Sequence, residues 1–418
     1  MRRGFLLDKS KVKKSAEQET KQESKPEIND VDPIVRPLRY GKVDYDNDLP
    51  RPKYNIAIDP VQGTIKSDRK TLILVTVPPR GSAAALNEDE HTEWITFEET
   101  KSRIFKTPGL PKPLPKPKGD TPLYEVKMTP NMGMGVFATR DISLGELVFA
   151  ERPLLVAPIN VNVLELSTPP DERYQKILLD EYEKIFEPAF DRMSKGNQTA
   201  YKALMNSHTE DGSGLLTGIA RTNGYGVSAL YDGPGPKATH HAQRYTVIGH
   251  VASRINHSCI ANVDRSFDMA AFAFVFKAAV DIKAGEQLFI SYCEAAASVA
   301  DRQRELAPYG IVCKCRVCTN ATPESDKFRQ EYDRRTREYQ VRNAALMSGA
   351  DASWPNDKEL NELQQVREMA IKEHLHNRTA YRYILGALFM GYAQRKMFAA
   401  AQEVMKLIEQ NEAVFVGT

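Results

Sequence analysis

Four of the five cysteines limit how this chain of 418 residues folds more than any other feature. Cys313, Cys315 and Cys318 form a C-x-C-x-x-C cluster, and Cys259 lies far upstream of them. Closely spaced thiolates readily chelate one tetrahedral zinc ion at Zn–S distances of about 2.3 Å. Three ligands therefore come from the cluster, and the fourth comes from Cys259 or Cys293. We expect a structural Zn²⁺ site with four cysteine ligands.

Cys259 is the favoured fourth ligand. Cys293 directly follows Tyr292 on a predicted strand, so these two side chains are expected to point in opposite directions. The competing interpretation is that the cysteines are unrelated buried thiols, but it does not account for the tight spacing of the cluster. Five cysteines in 418 residues also do not resemble the disulfide framework of a small secreted protein.

The charge of the chain is nearly balanced, with 57 basic residues against 55 acidic ones. Because no strong global field attracts polyanions, we expect no direct binding to nucleic acid. No apolar segment approaches the ~20 residues needed to span a bilayer, and the basic N-terminus lacks the apolar stretch of a secretory signal. These features predict a soluble intracellular protein of the nucleus or the cytoplasm, with no membrane association. The basic run Lys9–Lys14 fits a nuclear localisation signal, although such runs are common in disordered tails.

The first 122 residues divide into three segments by composition. Residues 1–32 are polar and of mixed charge, which predicts a disordered tail. Residues 33–107 form an N-terminal extension of unknown role, in which the apolar run Thr71–Val77 predicts a strand closed by two prolines. Residues 108–122 are rich in proline and lysine, which is typical of an extended linker and also fits an SH3-type ligand.

Residues 123–300 have the pattern of a mostly β domain. The frame D-I-x-x-G-E-x-x-F occurs at 141–149 and again at 281–289, and each copy predicts a tight turn followed by a strand. Within about 160–210 the apolar residues recur at helical spacing. This spacing predicts a helical insert that Pro188 interrupts.

The glycine-rich segment 211–240 predicts turns and close backbone approach. Residues 301–320 contain the metal-binding tail, and residues 321–418 return to helical spacing. Two packed helices joined near residues 395–396 resemble one tetratricopeptide-like unit. One such unit cannot bury its own apolar face, so we expect it to dock on the rest of the molecule or to continue beyond Thr418. These helices are also a candidate surface for protein partners.

Four motifs together resemble those of the SET-domain protein-lysine methyltransferases. In the order typical of that family, they are Gly133–Ala138 (GMGVFA), Asn256–Cys259 (NHSC), Ile290–Tyr292 (ISY) and Cys313–Cys318 (CKCRVC). The helical insert and the helical C-terminal region are most similar to the SMYD branch. That branch usually carries a second zinc module, MYND, which is not expected here because no cysteine precedes Cys259. The resemblance implies an α+β, β-rich SET fold with a helical insert, a zinc-binding post-SET tail and an α-helical C-terminal region.

The resemblance also implies a protein-lysine N-methyltransferase that uses S-adenosylmethionine and acts on a protein substrate, histone or non-histone. The implied cofactor contacts are Met132, Met134, Gly135, Asn223, Asn256, His257 and Ile311. Methyl transfer needs a neutral amine held in line with the reacting bond, so positioning dominates the rate. Tyr292 is implied as the catalytic residue that orients this amine, with Tyr309 as a second catalytic tyrosine and Ser253 lining the lysine channel.

Some positions depart from the family pattern. Ala261 stands where proline is usual after the Asn-His-Ser-Cys motif, and Ile311 occupies a position that is often an aromatic ring stacked on adenine. Met132 and Met134 replace polar residues that are common there. The alternative hypothesis is therefore a catalytically weak or inactive SET-fold scaffold that binds protein partners.

Overall fold

The computed structural model describes residues 55–58, 71–158, 172–230, 245–351 and 353–415. Its strands are β1 (Asn55–Ile58), β2 (Thr71–Val77), β3 (Thr92–Thr96), β4 (Tyr124–Met128), β5 (Met134–Ala138), β6 (Leu147–Glu151), β7 (Leu155–Pro158), β8 (Tyr225–Gly226), β9 (Tyr245–Ile248), β10 (Asn256–His257), β11 (Val263–Asp268), β12 (Ala273–Ala278) and β13 (Phe289–Ile290). Its helices are α1 (Glu98–Ile104), α2 (Glu172–Arg192), α3 (Lys195–Lys202), α4 (Leu215–Asn223), α5 (Val299–Leu306), α6 (Arg316–Thr319), α7 (Pro323–Met347), α8 (Asp357–Lys372), α9 (Tyr381–Gln394) and α10 (Phe398–Phe415). The predicted tail 1–32, with the basic run Lys9–Lys14, lies outside the described residues. Within the described ranges, no helix combines the length and apolar character needed to cross a membrane.

The N-terminal extension shares a sheet with the β domain. The six-stranded sheet has the order β1-β2-β3-β7-β9-β8, so three strands of the extension lie beside three strands of the later domain. β2 pairs antiparallel with β3, and β3 pairs in parallel with β7. The extension is thus packed into the domain, and Thr71–Val77 is a strand as predicted.

Both faces of this sheet are buried, which explains why the run Thr71–Val77 is almost continuously apolar. Side chains on β2 alternate between the two faces. One core, shared with helices α2 and α4, contains Leu72 and Leu74. The other core, shared with the remaining sheets, contains Ile73 and Val75. The helical insert therefore forms a layer that covers one face of the sheet.

The two copies of the repeated frame form turns that face each other. Ile142 and Ile282 exchange both backbone hydrogen bonds, at 2.8 and 2.9 Å. Asp141 and Asp281 each accept a hydrogen bond from the backbone of the other copy, at 3.0 and 2.8 Å. The predicted turns are confirmed, and their pairing ties the beginning of the β domain to its end.

Pro188 does not end the helix of the insert, contrary to the prediction. α2 continues through this proline to Arg192. Proline removes one backbone hydrogen bond and crowds the preceding turn. Here it lies near the end of the helix, where Ala189 and Phe190 are buried in the core shared with the sheet. Tertiary packing therefore outweighs the local helix-breaking tendency.

The glycine-rich segment also contains a helix, α4, where the sequence predicted only turns. Gly218 lies within α4, and a Cβ at this position would be 2.6 Å from the side-chain oxygen of Asn206. The first turn of α4 is capped by Glu183 of α2, whose carboxylate accepts two backbone N–H bonds of 2.8 Å. Helix α4 is thus specified by its contacts with the insert rather than by local propensity. Residues 231–244 of this segment lie outside the described residues.

The C-terminal region folds as helices α7 to α10 and docks on the β domain. The predicted pair joined near residues 395–396 is confirmed as α9 and α10, which pack with α7 and α8 in a third core. Arg329 Nη1 donates to Ala295 O at 2.5 Å, and Lys277 Nζ donates to Ala413 O at 3.0 Å. The expected docking is therefore observed, whereas a partner-binding role of these helices stays a prediction.

The proline-rich segment 108–122 packs along the β domain. Lys112 N donates to Ala270 O at 2.8 Å, and Lys112 O accepts from Arg152 at 2.8 Å. The same buried guanidinium also donates to Ala84 O and Ala271 O, both at 3.0 Å. One arginine thus joins this segment, the N-terminal extension and the β11–β12 turn.

A buried ion pair between α7 and the end of α8 anchors the C-terminal region. Arg329 is fully buried, and its Nε lies 3.0 Å from Glu373 Oε2. Removing one partner leaves the other charge buried and unpaired. We therefore expect Arg329→Ala to lower the free energy of unfolding by about 3 kcal/mol, measured by chemical denaturation followed by circular dichroism.

Arg334→Ala is the matched control, because Arg334 lies on the same helix with 63% of its side chain exposed. Exposed ion pairs contribute about 0–1 kcal/mol, so this variant should unfold close to the parent protein. Equal stabilities of the two variants would show that the Arg329–Glu373 pair does not anchor the region.

Candidate active site and metal centre

Two short parallel strands bring the Asn-His motif beside the tyrosine motif. β10, which is Asn256–His257, pairs with β13, which is Phe289–Ile290. Strand β13 ends at Ile290, and Tyr292 and Cys293 lie in the bends that follow. The expectation that these two residues share a strand is therefore wrong. The hydrogen bonds of this short ladder nevertheless place the two motifs side by side, although they are distant in sequence.

The imidazole of His257 connects these motifs with the cysteines. Its Nδ1 accepts a hydrogen bond from Tyr292 N at 3.0 Å, and its Nε2 lies 3.4 Å from Cys259 Sγ. Because Nδ1 accepts from an N–H group, the proton of the neutral ring is assigned to Nε2 and points at the sulfur. Both ring nitrogens have protein partners, so a cofactor contact of His257 would use its backbone.

The hydroxyl of Tyr292 is held by the backbone just before the Asn-His motif. It donates to Ile255 O at 2.6 Å, and the residue is only 6% exposed. A phenolic hydroxyl that donates its proton in this way presents its oxygen as an acceptor. The ring of Tyr309 lies edge-on to that of Tyr292, with centroids 6.1 Å apart. The structure therefore brings together the two tyrosines that the sequence singled out.

Four sulfur atoms converge where the sequence predicts the metal. The Sγ atoms of Cys259, Cys313, Cys315 and Cys318, here called the four-sulfur cluster, all lie within 4.8 Å of one another. Cys259 Sγ is 3.5 Å from Cys318 Sγ and 3.9 Å from Cys313 Sγ. A tetrahedron with Zn–S distances of about 2.3 Å has S–S edges of about 3.8 Å, so the cluster has the size of a zinc site.

Cys293 belongs to a different group, in which its sulfur lies within 4.8 Å of ligand atoms of His257 and Cys259. This group is a poor second metal site. If His257 Nε2 were a ligand, the ring proton would move to Nδ1, which faces the N–H of Tyr292. Two donors would then oppose each other, so the geometry favours the four-sulfur cluster and Cys259 as its fourth member.

A buried arginine supplies positive charge beside the four-sulfur cluster. Arg302 is fully buried and donates to Cys318 Sγ at 3.5 Å and to Val317 O at 3.2 Å. Within the described part of the chain, no carboxylate forms an ion pair with it. A buried cation needs a counter-charge, and a Zn²⁺ ion with four thiolates carries a net charge of −2. Contact with Cys259 lowers the pKa of Cys318, and the hydrogen bond from Arg302 acts in the same direction.

The glycine turn adjoins the Asn-His motif through one hydrogen bond. Asn256 Nδ2 donates to Met134 O at 3.0 Å. Met132 precedes the turn with 42% of its surface exposed, and Gly133 has a φ of +66°. Gly135 is required for protein packing, since a Cβ there would be 2.6 Å from the amide nitrogen of Gln287. The expected cofactor contacts Met134 and Asn256 therefore lie together.

The remaining predicted contacts are spread around this centre. Asn223, at the end of α4, is buried, and its amide donates to Met205 O at 2.6 Å and to Ile219 O at 2.8 Å. Ile311 is partly buried and packs against the core that contains Tyr292. Ser253 has a buried hydroxyl with no hydrogen-bond partner among the described residues. An orphaned hydroxyl one turn before Asn256 fits a ligand contact at this position.

Sequence reasoning missed three polar residues that support the site. Glu151, at the end of β6, accepts hydrogen bonds from Val251 N at 2.8 Å and Ala252 N at 2.7 Å. Tyr225 donates its hydroxyl proton to Ala252 O at 2.6 Å. The signal for Glu151 was an acidic residue at the end of an apolar strand. Arg302 was missed as well, and nothing in its local sequence distinguishes it from other arginines of a charged helix.

A family model described as "SET domain" matches residues 133–293. This match confirms the SET resemblance at the level of the domain. The histone-lysine N-methyltransferase set5 of Schizosaccharomyces pombe is 28% identical over 231 residues, which are 54% of this chain and 60% of the relative. The histone-lysine N-methyltransferase SET5 of Meyerozyma guilliermondii is 40% identical over 75 residues, which are 17% of this chain and 16% of the relative. Both matches span less than two thirds of the relative's length.

A crystal structure described as the SET domain of LSMT bound to lysine and AdoHcy aligns with 75% of this chain and 91% of its own chain. The sequence identity is 14% and the TM-score is 0.27. A TM-score this low carries no structural argument. The SET character of residues 133–293 therefore rests on the family match and on the arrangement of the motifs.

The position of the His257 ring proton is directly testable. With ¹⁵N-labelled histidine, we expect the Nδ1 shift of His257 to be that of an unprotonated acceptor and the Nε2 shift that of a protonated nitrogen. The chain has eight histidines, so a His257→Gln sample identifies the signal. A proton on Nδ1 and none on Nε2 would exclude the hydrogen bond from Tyr292 N and the donation from Nε2 to Cys259 Sγ.

Proposed function

We propose that this protein is an S-adenosylmethionine-dependent protein-lysine N-methyltransferase. The observation that carries the proposal is the position of His257, whose ring accepts from Tyr292 N of the tyrosine motif and lies beside Cys259 Sγ. Cys259 Sγ in turn lies 3.5 Å from Cys318 Sγ of the tail. The SET domain match over residues 133–293 and the names of the two relatives support the same activity. The bound cofactor supplies an activated methyl group on a sulfonium.

The residues of the chain then have to position a neutral lysine amine. Because the Tyr292 hydroxyl donates to Ile255 O, its oxygen is oriented to accept an N–H of the incoming amine. The ring of Tyr309 packs against Tyr292 and forms an apolar wall. Such surroundings lower the pKa of a lysine and favour the uncharged form that attacks. Ser253, with its orphaned hydroxyl, lines the same channel in this proposal.

Cofactor binding is proposed at the surface formed by the glycine turn and the Asn-His motif. The bond from Asn256 to Met134 O holds these two segments together. The turn around Gly133 has a left-handed conformation that favours glycine, and its backbone can approach a charged ligand closely. Ile311 offers an apolar side chain in place of the usual aromatic ring, which is consistent with adenine binding of reduced affinity. Asn223 completes the set from α4.

Zinc is proposed to hold the tail onto the Asn-His motif. Cys259 belongs to the motif, while the other three members of the four-sulfur cluster come from the tail after α5. With four thiolate ligands the ion has no open position and is structural. Its binding energy then contributes to the folding of the tail, because such ligands do not form a site in the unfolded chain.

The finer classification is likewise a proposal. The helical insert, the four C-terminal helices and the absence of cysteine before Cys259 support a SMYD-like protein without a MYND module. The names of the relatives favour histone lysine as the substrate class, in the nucleus or the cytoplasm. Protein partners of the C-terminal helices remain part of this proposal.

Tyr292→Phe tests the catalytic assignment. Loss of the hydroxyl removes the acceptor that orients the amine, so we expect kcat to fall by about 100-fold. The affinity for S-adenosylmethionine should change less than about twofold, because Tyr292 is assigned to the amine. Radiolabelled methyl transfer to histones and calorimetry with the cofactor measure the two quantities.

Tyr332→Phe is the matched control, because Tyr332 is also buried and also donates its hydroxyl proton to a backbone carbonyl, Leu375 O, at 3.0 Å. It should lose about 1 kcal/mol of stability and retain full turnover. Cofactor binding without turnover in the parent protein would favour the alternative of a scaffold. Equal turnover of Tyr292→Phe and Tyr332→Phe would remove Tyr292 from catalysis.

The metal assignment is tested by comparing two cysteines. We expect the parent protein to contain one zinc per chain by atomic emission spectroscopy, and Cys315→Ser to lose most of it. Cys293→Ser should retain the zinc, because Cys293 lies outside the four-sulfur cluster. A chelator should unfold the tail of the parent protein and lower its cofactor affinity. Zinc loss in Cys293→Ser but not in Cys315→Ser would contradict the ligand set.

A further inference from the structure

We propose that Glu151 is a positioning residue whose carboxylate fixes the turn that presents Ser253, Asn256 and the acceptor for the Tyr292 hydroxyl. This inference rests on the proposed function, since it concerns the same site. It adds a residue that no motif contains. It also predicts how the activity depends on pH.

The Glu151 carboxylate caps the turn with two hydrogen bonds, an arrangement called here the double cap. Its two oxygens accept from consecutive backbone N–H groups, Val251 N at 2.8 Å and Ala252 N at 2.7 Å. These donors lie at the start of the single helical turn Ala252–Arg254, where a negative charge is favourable. A Cβ at Gly249 would lie 2.3 Å from Glu151 Oε1, so the backbone leaves space for the carboxylate.

The turn leads directly into the site. Ala252 O accepts the hydroxyl proton of Tyr225 at 2.6 Å, and Ile255 O accepts that of Tyr292 at 2.6 Å. Ser253 lies between Ala252 and Ile255 in sequence, and its buried hydroxyl has no hydrogen-bond partner among the described residues. A rotation of this turn would therefore move Ile255 O, which accepts from Tyr292, together with the hydroxyl of Ser253. A small displacement of this kind strongly affects a reaction that depends on alignment.

The ionised carboxylate is the better acceptor for both N–H groups. Protonation turns one oxygen into a hydroxyl, which is a much weaker acceptor, so one of the two bonds is weakened. Burial raises the pKa of Glu151 from its usual value near 4.5 to about 7. The charged or titratable groups that interact with it are Arg254 in the turn and Tyr124 on β4, and His250 contributes its backbone N–H. The double cap should therefore be complete above pH 7 and weaken below it.

The sign of the stability effect is opposite to that of activity. Because the folded-state pKa is raised, the folded protein holds the proton more tightly than the unfolded chain between about pH 4.5 and 7. The contribution of Glu151 to the free energy of unfolding is thus full below that range and is lost as pH rises through 7. Carboxylates whose pKa is strongly raised by burial are concentrated at functional sites.

The first test measures log(kcat/KM) for methyl transfer between pH 6 and 8.5. The free-amine fraction of the substrate lysine alone gives a slope of about 1. Below pH 7, protonation of Glu151 raises the slope of log(kcat/KM) against pH from about 1 to about 2. At pH 6, kcat/KM should therefore be about tenfold lower than the value extrapolated from the data above pH 7. We expect Glu151→Gln to be slower at pH 8 and to show a slope of about 1 throughout. A slope of 2 retained in Glu151→Gln would overturn the proposal.

The second test does not require activity. Hydrogen exchange of the parent protein should show the amides of Val251 and Ala252 protected at pH 8 and less protected at pH 6, after correction for the intrinsic rate. This pH series needs no variant, so it remains informative even if Glu151→Gln fails to fold. Protection that is constant across this pH range would overturn the proposal. Absence of methyl transfer with pH-dependent protection would instead refute the proposed function and leave the double cap.

Glu146→Gln is the matched control. Glu146 also caps a turn, accepting from Ser143 N at 3.1 Å, but its other partner is Arg140, whose side chain is 42% exposed. We expect this variant to retain the parent's slopes and the pH-dependent protection at Val251 and Ala252. Loss of both in Glu146→Gln would mean that a general change in charge, not the double cap, produces the effect.

Discussion

The contact of His257 with both Tyr292 N and Cys259 Sγ is the interaction on which the site depends. One imidazole accepts from the backbone of the catalytic candidate and donates toward a sulfur of the four-sulfur cluster. The tail after α5 is therefore joined to the tyrosine through a ring with two fixed partners. A metal held by the four-sulfur cluster, as proposed, would have no open coordination position, yet it would determine the geometry of the adjoining pocket through His257.

Buried charge extends this connection into the C-terminal region. Arg302 donates to Cys318 Sγ, and Arg329 of α7 pairs with Glu373 and donates to Ala295 O. Each of these arginines is fully buried, so each needs its partners to be in place. The helices α7 to α10 therefore contribute to the placement of the tail that carries Cys313, Cys315 and Cys318. The docking that was expected for the helical pair α9 and α10 thus involves α7 and α8 as well.

Sequence patterns predicted the features that depend on local chemistry. The cysteine spacing, the paired turns with Asp141 and Asp281 and the strand Thr71–Val77 all follow from residue type and periodicity. Features that depend on packing between distant segments of the chain were not predicted. α2 passes through Pro188 because its last turns are buried, and α4 forms because Glu183 caps it. Glu151 escaped prediction for the same reason, since its partners are backbone groups far away in the chain.

The departures from the family pattern have physical replacements in the structure. Ala261 stands where proline is usual, but its carbonyl accepts from Asn377 Nδ2 at 2.5 Å, so the C-terminal region fixes the turn. Asn262 clamps β13 by accepting from Phe289 N at 2.7 Å and donating to Gln287 O at 2.9 Å. The rigidity that proline would provide is thus supplied by side-chain hydrogen bonds. This compensation favours an enzyme over a scaffold, because a scaffold has no need for a precisely held turn beside the Asn-His motif.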